Sequence, residues 1–461
     1  MLKLGKKSSV DLLSGDEGWV IFKFSVPIIL SYLLQQIYTI SDAAICGQTL
    51  GVDDIAGVND VFPILFIFLQ FAVGCTAGFS VITSIAAGRG DQARVRRSFA
   101  AQLVLGGVLS LALTGVAVLT LKPLLRFIGL SEANPGVWRA AYQYSLVIFL
   151  GIFAQLYYNL ICSILRSLGD STTPLIFLLF STVLNIGLDL LCIIVFKMGA
   201  FGAAFATVFS QAVAGIGSLF YILKHYGELR WSKEEGKLSK RHCAKLCNMG
   251  IPMGLQCSIT AIGSVLLQGA VNGLGSDIVA AQTAGGKAAS FLSVPLESIG
   301  TAMTTYASQN MGAHDLGRVN KGVNTALGIG CVYSVASFLI LRVMDVPLIS
   351  LFLESSEVEI MANARSFIFW NSLFYIPLAV LIIYRYTIQG LGYSGLAMFA
   401  GVAEMVARVM VGCWFVPLWG YFAACIANPV AWFFACFFLI PAYFAVRKRL
   451  TKELAAARVE D

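Results

Sequence analysis

Charge is what this chain has least of. Asp, Glu, Lys and Arg make up 12% of its 461 residues, about half of the roughly 25% expected of a soluble globular domain. That shortfall excludes a water-facing globule. Together with 58% hydrophobic residues and a mean hydropathy of +0.80, it reads as a polytopic membrane protein. Histidine is scarcer still: the chain has three, His225, His242 and His314, all in polar connections. No nucleophile–base pair and no metal cluster is therefore visible inside an apolar span, which argues against an enzyme. The first eighteen residues mix Lys3, Lys6 and Lys7 with Asp11, Asp16 and Glu17 and lack a long apolar core. No cleavable signal peptide is expected there, and the first span directs insertion. The 11 cysteines lie mostly in apolar runs, where Cys acts as a small hydrophobe, and His242, Cys243 and Cys247 are too few for a metal site.

What is present is apolar length. Twelve stretches can each cross a bilayer: 18–46, 55–86, 98–121, 137–166, 173–196, 199–224, 248–273, 278–310, 321–342, 363–388, 395–417 and 420–446. The expected organisation is an N-terminal six-helix bundle over 1–224, a polar linker over 225–247, a C-terminal six-helix bundle over 248–446 and a tail over 447–461. Lys3, Lys6, Lys7, Arg89, Arg94, Arg96, Arg97, the linker cations Arg230, Lys233, Lys237, Lys240 and Arg241, Arg318 and the run Arg447-Lys448-Arg449 all fall on one side. The positive-inside rule then places both termini in the cytoplasm and the protein in the plasma (inner) membrane. The net charge of +7 reflects that asymmetry and suits anionic membrane lipid, not nucleic acid. A monomer is expected.

The halves repeat. Gly88-Arg89-Gly90-Asp91-Gln92-Ala93-Arg94-Val95 recurs 224 residues later as Gly312-Ala313-His314-Asp315-Leu316-Gly317-Arg318-Val319. Pro27 and Pro252 open the first spans of each half, Leu168-Gly169-Asp170-Ser171 returns as Leu391-Gly392-Tyr393-Ser394, and Gly199-Ala200-Phe201 as Gly420-Tyr421-Phe422. Six spans per half is an even number, so both halves insert in the same sense. The fold class is thus an all-α polytopic membrane protein, twelve transmembrane helices in two six-helix bundles related by a pseudo-two-fold axis along the membrane normal. That arrangement is typical of alternating-access transporters.

Few polar groups interrupt the spans, so those that do carry weight. Asn185 and Asp189 are four residues apart and stack on one helix face. A carboxylate at such a depth costs about 2.5–3.5 kcal/mol on insertion scales, and such residues usually mark an ion or substrate path. At about 1.5 Å per residue, Asp42, Asp189 and Thr207 lie roughly 6, 10 and 12 Å from the outer ends of their helices. Two carboxylates, an amide and a hydroxyl at similar depth suit a hard cation, or a carboxylate pair sharing a proton.

In order along the chain, these segments resemble the multidrug and toxic compound extrusion (MATE) transporters. The first span from Pro27 to Asp42, Leu184-Asn185-Ile186-Gly187-Leu188-Asp189, the run from Gly202 to Thr207, and Gln309-Asn310-Met311-Gly312-Ala313 are each similar to a family motif. The resemblance covers roughly residues 18 to 446. It implies a cation or proton site in the N-terminal bundle at Asp42, Asn185, Asp189 and Thr207. It also implies a secondary antiporter that exports small organic, chiefly cationic, compounds in exchange for H⁺ or Na⁺, with no other cofactor. A related alternative is a flippase of lipid-linked saccharide or another lipid precursor.

The second half departs from one branch of that family. The acidic positions of its seventh and tenth helices read Gln256 to Thr260 and Tyr375-Ile376-Pro377 here. Lys287, Glu404 and Arg408 are the candidate polar site instead. Glu404 and Arg408, at i and i+4, form an intrahelical ion pair on the simpler reading and leave Lys287 as a partner of Glu404 on the other. Pro27 lacks an N–H and permits a bend in the first span, static or tied to the state of Asp42.

Overall fold

A computed structural model describes residues 9–130, 134–229, 239–353 and 358–460. Lys3, Lys6, Lys7, Arg230, Lys233 and Lys237 lie outside the described residues. Within them the chain is helical, with no strand. The long helices are α1 (Glu17–Thr49), α2 (Val52–Gly88), α3 (Gln92–Phe127), α4 (Pro135–Leu150), α5 (Ile152–Ser167), α6 (Thr172–Asp189) and α7 (Gly199–His225). The second series is α8 (Lys240–Asn272), α9 (Ser276–Gly312), α10 (Leu316–Ile349), α11 (Val358–Leu373), α12 (Tyr375–Gly390), α13 (Ser394–Met410), the short α14 (Val416–Trp419) and α15 (Tyr421–Glu460).

Nine of these segments, counting α6 and α13 with their extensions, are each long and apolar enough to cross a membrane, and α4–α5 and α11–α12 each pass as one bent span. The remaining member of the twelve is α9, 37 residues long but carrying Gln282, Lys287 and Glu297. This is a multi-pass membrane protein. Two spans that read as straight from hydropathy are bent, by 44° between α4 and α5 and by 52° between α11 and α12. The first break is at Gly151, where any side chain would collide with Val208 of α7. At the second, Pro377 has no N–H to give to Leu373, the last residue of α11, so the ladder stops there.

The repeat is visible at atomic detail. Asp91 caps α3 by accepting from the backbone N–H of Arg94 at 2.9 Å, and Asp315 caps α10 by accepting from that of Arg318 at 2.8 Å. The residue before each cap has a left-handed backbone, Gly90 at φ 72° and His314 at φ 61°. Each fifth span also carries a π-helical turn near its end, Leu190–Val195 after α6 and Val411–Phe415 between α13 and α14. Such turns add a residue to the coil and recur at functional sites.

Two compact units result, residues 1–10 with 30–254, and residues 11–29 with 255–461. The boundaries fall inside helices, after Ile29 in α1 and after Gly254 in α8, each two residues beyond a proline, Pro27 and Pro252. The start of α8 belongs to the first unit because it crosses α2 backbone to backbone. A Cβ on Gly74 would stand 2.5 Å from the carbonyl oxygen of Met253, and one on Gly78 would stand 2.6 Å from the Cα of Gly250. Small residues every fourth position on both helices allow that approach, the usual solution where lipid supplies no hydrophobic drive. Beside it, Phe79, Phe99, Leu160, Ile164 and Leu246 form the core of the first unit. In the second, Leu267, Val271, Val411 and Ala424 pack around the second π turn.

Candidate functional site

The site in the first unit is built on α6. Asp170 fixes where that helix begins: its Oδ1 accepts from the backbone N–H of Thr172 and Thr173 at 3.1 and 2.9 Å. Its Oδ2 accepts from Thr173 Oγ1 at 2.6 Å and from Tyr226 Oη, past the end of α7, at 2.7 Å. From that anchor the helix runs to Asn185 and Asp189, both fully buried. Neither oxygen of Asp189 and neither polar atom of Asn185 has a hydrogen-bond partner among the described groups. Leaving a buried polar group unsatisfied costs about 1–3 kcal/mol, more for a charge. Four such atoms on adjacent turns of one helix make this the least compensated polar spot in the unit.

Asp42 of α1 comes to the same place. Its carboxyl and that of Asp189 stand within electrostatic reach of each other across the two helices. Thr207, on α7, accepts a hydrogen bond from Tyr38 Oη at 3.3 Å, and Tyr38 is one turn before Asp42. Cys46, one turn after, points its thiol at Asp42 Oδ1 at 3.9 Å. Tyr144 of α4 stands within electrostatic reach of Asp42, Tyr38, Cys46 and Asp189. Asp42, Asp189 and Thr207 thus converge from three helices, with Asn185 buried one turn along from Asp189. Tyr38, Cys46 and Tyr144 are neighbours that the sequence reading missed. The first two could have been found, since i−4 and i+4 share a face with Asp42; Tyr144 carries no local signal.

Chemically the donors are all hard oxygens. Two carboxylates so near each other repel unless a proton or a cation lies between them, and the unsatisfied amide and carboxylate oxygens supply further ligands of the type an alkali cation takes. Among the described residues no group of three or more His, Cys, Asp or Glu side chains could hold a metal ion.

Comparison with known proteins decides the family. The MatE family model matches this chain twice, over residues 27–191 and again over 252–414, in step with the internal repeat. The chain belongs to the MATE transporters. Among relatives, the "Probable multidrug resistance protein YpnP" of Bacillus subtilis (strain 168) is 30% identical over 76% of this chain and 78% of its own. The "Probable multidrug resistance protein YoeA" of the same organism is 26% identical over 74% of each. A solved outward-facing MATE family transporter of the MOP superfamily superposes with a TM-score of 0.88 at 20% identity, over 97% of this chain and 99% of that one. As a MATE protein, the chain is a transporter.

The second unit of this MATE transporter buries charge differently. Glu404 is held by two guanidiniums, Arg385 of α12 on Oε1 and Arg408, one turn on in α13, on Oε2 at 3.4 Å. Arg408 Nε also donates to Asn428 Oδ1 at 3.3 Å, and Asn428 Nδ2 donates to Asn371 Oδ1 at 3.2 Å. Tyr386 Oη donates to Glu297 Oε2 at 3.0 Å, and Glu297 and Arg385 attract each other. The i,i+4 pair is therefore present, but Lys287 is not a partner of Glu404. Its ammonium lies over the ring of Phe352, 5.6 Å from the centroid. The reason is helix rise: the α9 residue level with this cluster is Glu297, ten residues, or about 15 Å, further along than Lys287. Arg385 and Glu297 were missed in the sequence, although an Arg inside the apolar run Leu381-Ile382-Ile383-Tyr384 was itself a signal.

Proposed function

We propose that this MATE transporter is an antiporter that exports small organic compounds, chiefly cations, in exchange for H⁺ or Na⁺, with the exchange seated at Asp42, Asn185, Asp189 and Thr207. The observation that carries this is that Asp42 stands within electrostatic reach of Asp189, on a helix with four unsatisfied polar atoms. A carboxyl pair with Asp189 fully buried and Asp42 half-buried is stable when a proton or a cation neutralises part of its charge. An incoming H⁺ or Na⁺ and a cationic substrate then compete for the same negative charge, and that competition is enough to couple their movements. Thr207 and Asn185 supply neutral oxygens that tune ion affinity, and Tyr38 holds Thr207 in position. Pro27, where α1 lacks an N–H, is the place for a bend that follows the state of Asp42.

On this reading the protein works in the plasma (inner) membrane as a monomer with both termini cytoplasmic, as the Lys and Arg bias favours. The test is transport in proteoliposomes under imposed pH and Na⁺ gradients with a panel of cationic dyes. Gradient-driven export by the unaltered protein, lost in Asp42→Asn and in Asp189→Asn, is the expected result. Export at unaltered rates by both variants would remove the coupling site.

A further inference from the structure

A second polar pocket lies in the first unit, well away from Asp42. It is a cavity of about 510 Å³ lined by Arg89, Arg94, Arg97, Arg241, His242 and Lys245, with Ile82, Ile85 and Ser239 completing its wall. That volume falls within the roughly 300–1,000 Å³ of small-molecule sites. Five permanent cations share it. Among the described residues, the one ion pair in the group is Arg94 with Asp91, at 3.4 Å and half exposed.

The placement of these cations runs against helix electrostatics. α3 begins at Gln92 and α8 at Lys240, so Arg94, Arg97, Arg241 and Lys245 all sit in the first two turns of a helix. Helix starts carry partial positive charge and disfavour cations there. Two such starts, joined side to side by the contact of Ser98 Oγ with His242 Nε2 at 3.0 Å, bring the cationic side chains of both to one wall. Both features suit an anion, as helix N-termini commonly do for phosphate. The loop's Lys and Arg bias alone asks only for positive charge on this side; it does not ask for a shared concave wall with isoleucines in it.

We infer that this pocket binds the phosphate group of an anionic ligand, and that Ile82 and Ile85 make a membrane phosphodiester lipid, such as phosphatidylglycerol, its preferred source over free phosphate. The phosphate sits among the guanidiniums, which match its oxygens in a bidentate fork, while the glycerol and first acyl carbons lie along the isoleucines. The function of this site is independent of the exchange pair at Asp42 and Asp189.

The experiment uses the full chain in nanodiscs of phosphatidylglycerol or phosphatidylcholine, with lipid retention read by native mass spectrometry and melting followed in parallel. Phosphatidylglycerol is expected to be retained and to raise the melting temperature relative to phosphatidylcholine. Arg97→Gln with Arg241→Gln should lower retention about 25-fold, at about fivefold per charge removed near a membrane surface. Lys321→Gln with Arg449→Gln, the same loss of charge at exposed positions outside the pocket, should leave it unchanged. Should the glutamine pair fold poorly, Arg97→Lys with Arg241→Lys keeps the charge without the fork and should retain the lipid, less tightly than the unaltered protein. Displacement of phosphatidylglycerol by millimolar inorganic phosphate, sensitive to the same two arginines, would keep the phosphate site and reassign its source to a soluble ion. Equal losses from the pocket and control variants, no preference between the two lipids, or a folded lysine variant that retains neither would overturn the proposal.

Discussion

Asn185 and Arg408 occupy the same register of the repeat, 223 residues apart, each shortly before a π-helical turn, and the two units treat them in opposite ways. In the first unit the amide has no partner and precedes a carboxylate whose two oxygens have none. In the second the guanidinium is tied to Glu404, which Arg385 grips from the other side. One scaffold thus holds charge by two means. Where opposite charges close on each other, nothing further is needed and the cluster acts as a fastener. Where like charges meet, the site is complete only with something that can come and go.

If that contrast is right, neutralising mutations should have opposite consequences in the two units. Glu404→Gln strands two buried guanidiniums, and the expected cost is about 3–5 kcal/mol of stability. It should appear as a collapse in the yield of monodisperse protein and a sharply lower Tm. Asp189→Asn, by contrast, should leave yield and Tm unchanged or improved, since it removes a carboxylate without partners. A Glu404→Gln variant that folds normally but no longer transports would end the comparison by making both sites functional.

The next test sharpens it. Glu404→Gln with Arg408→Gln should recover much of the stability lost in Glu404→Gln alone, because it leaves Arg385 facing Glu297 and no unpaired charge. Transport per folded molecule should then approach the unaltered value. Smaller effects are expected from the neutral ligands of the first unit. Asn185→Ala and Thr207→Ala should each weaken apparent Na⁺ or H⁺ affinity several-fold with exchange retained, and Tyr38→Phe, which releases one 3.3 Å hydrogen bond, should do so by less. Titrating dye efflux against external Na⁺ and pH would rank them.

The smallest difference concerns the repeat itself. His314 stands at φ 61° where the other half has Gly90 at φ 72°. A side chain in that region costs about 1 kcal/mol, so His314→Gly should raise Tm slightly and Gly90→Ala should lower it by a similar amount. Gly90 has open space around its Cα, so strain alone is being measured.

Much of this was legible from residue order. Spans, repeat and family follow from apolar length and from motifs such as Gly-Arg-Gly-Asp, because a bilayer forces backbone groups into helices of one length. The acidic site was legible for a related reason: Asp42 and Asp189 stand out against apolar neighbours. The bend at Gly151 was not, since hydropathy does not register where a ladder of hydrogen bonds stops, whereas Pro377, a proline inside a span, marks the other. Nor was the pairing of Glu404 with Arg385, which depends on how α12 and α13 lie together, whereas the i,i+4 contact with Arg408 is written in the spacing. The unit boundaries inside α1 and α8 also escaped a reading that divides the chain at its polar loop.

Those boundaries bear on how the molecule is made. A ribosome delivers residues 11–29 early, yet the unit they belong to begins again only at Leu255. The first half of α1 must therefore wait in the bilayer, unmatched, while the whole of the first unit is threaded in. The entropy of closing so long a gap grows only with its logarithm, so the delay is tolerable. Synthesis of the two gene halves as separate polypeptides, broken within 230–238, would leave each product one helix segment short of a unit and holding one that belongs to the other. Such fragments should be degraded when made singly and rescued when made together.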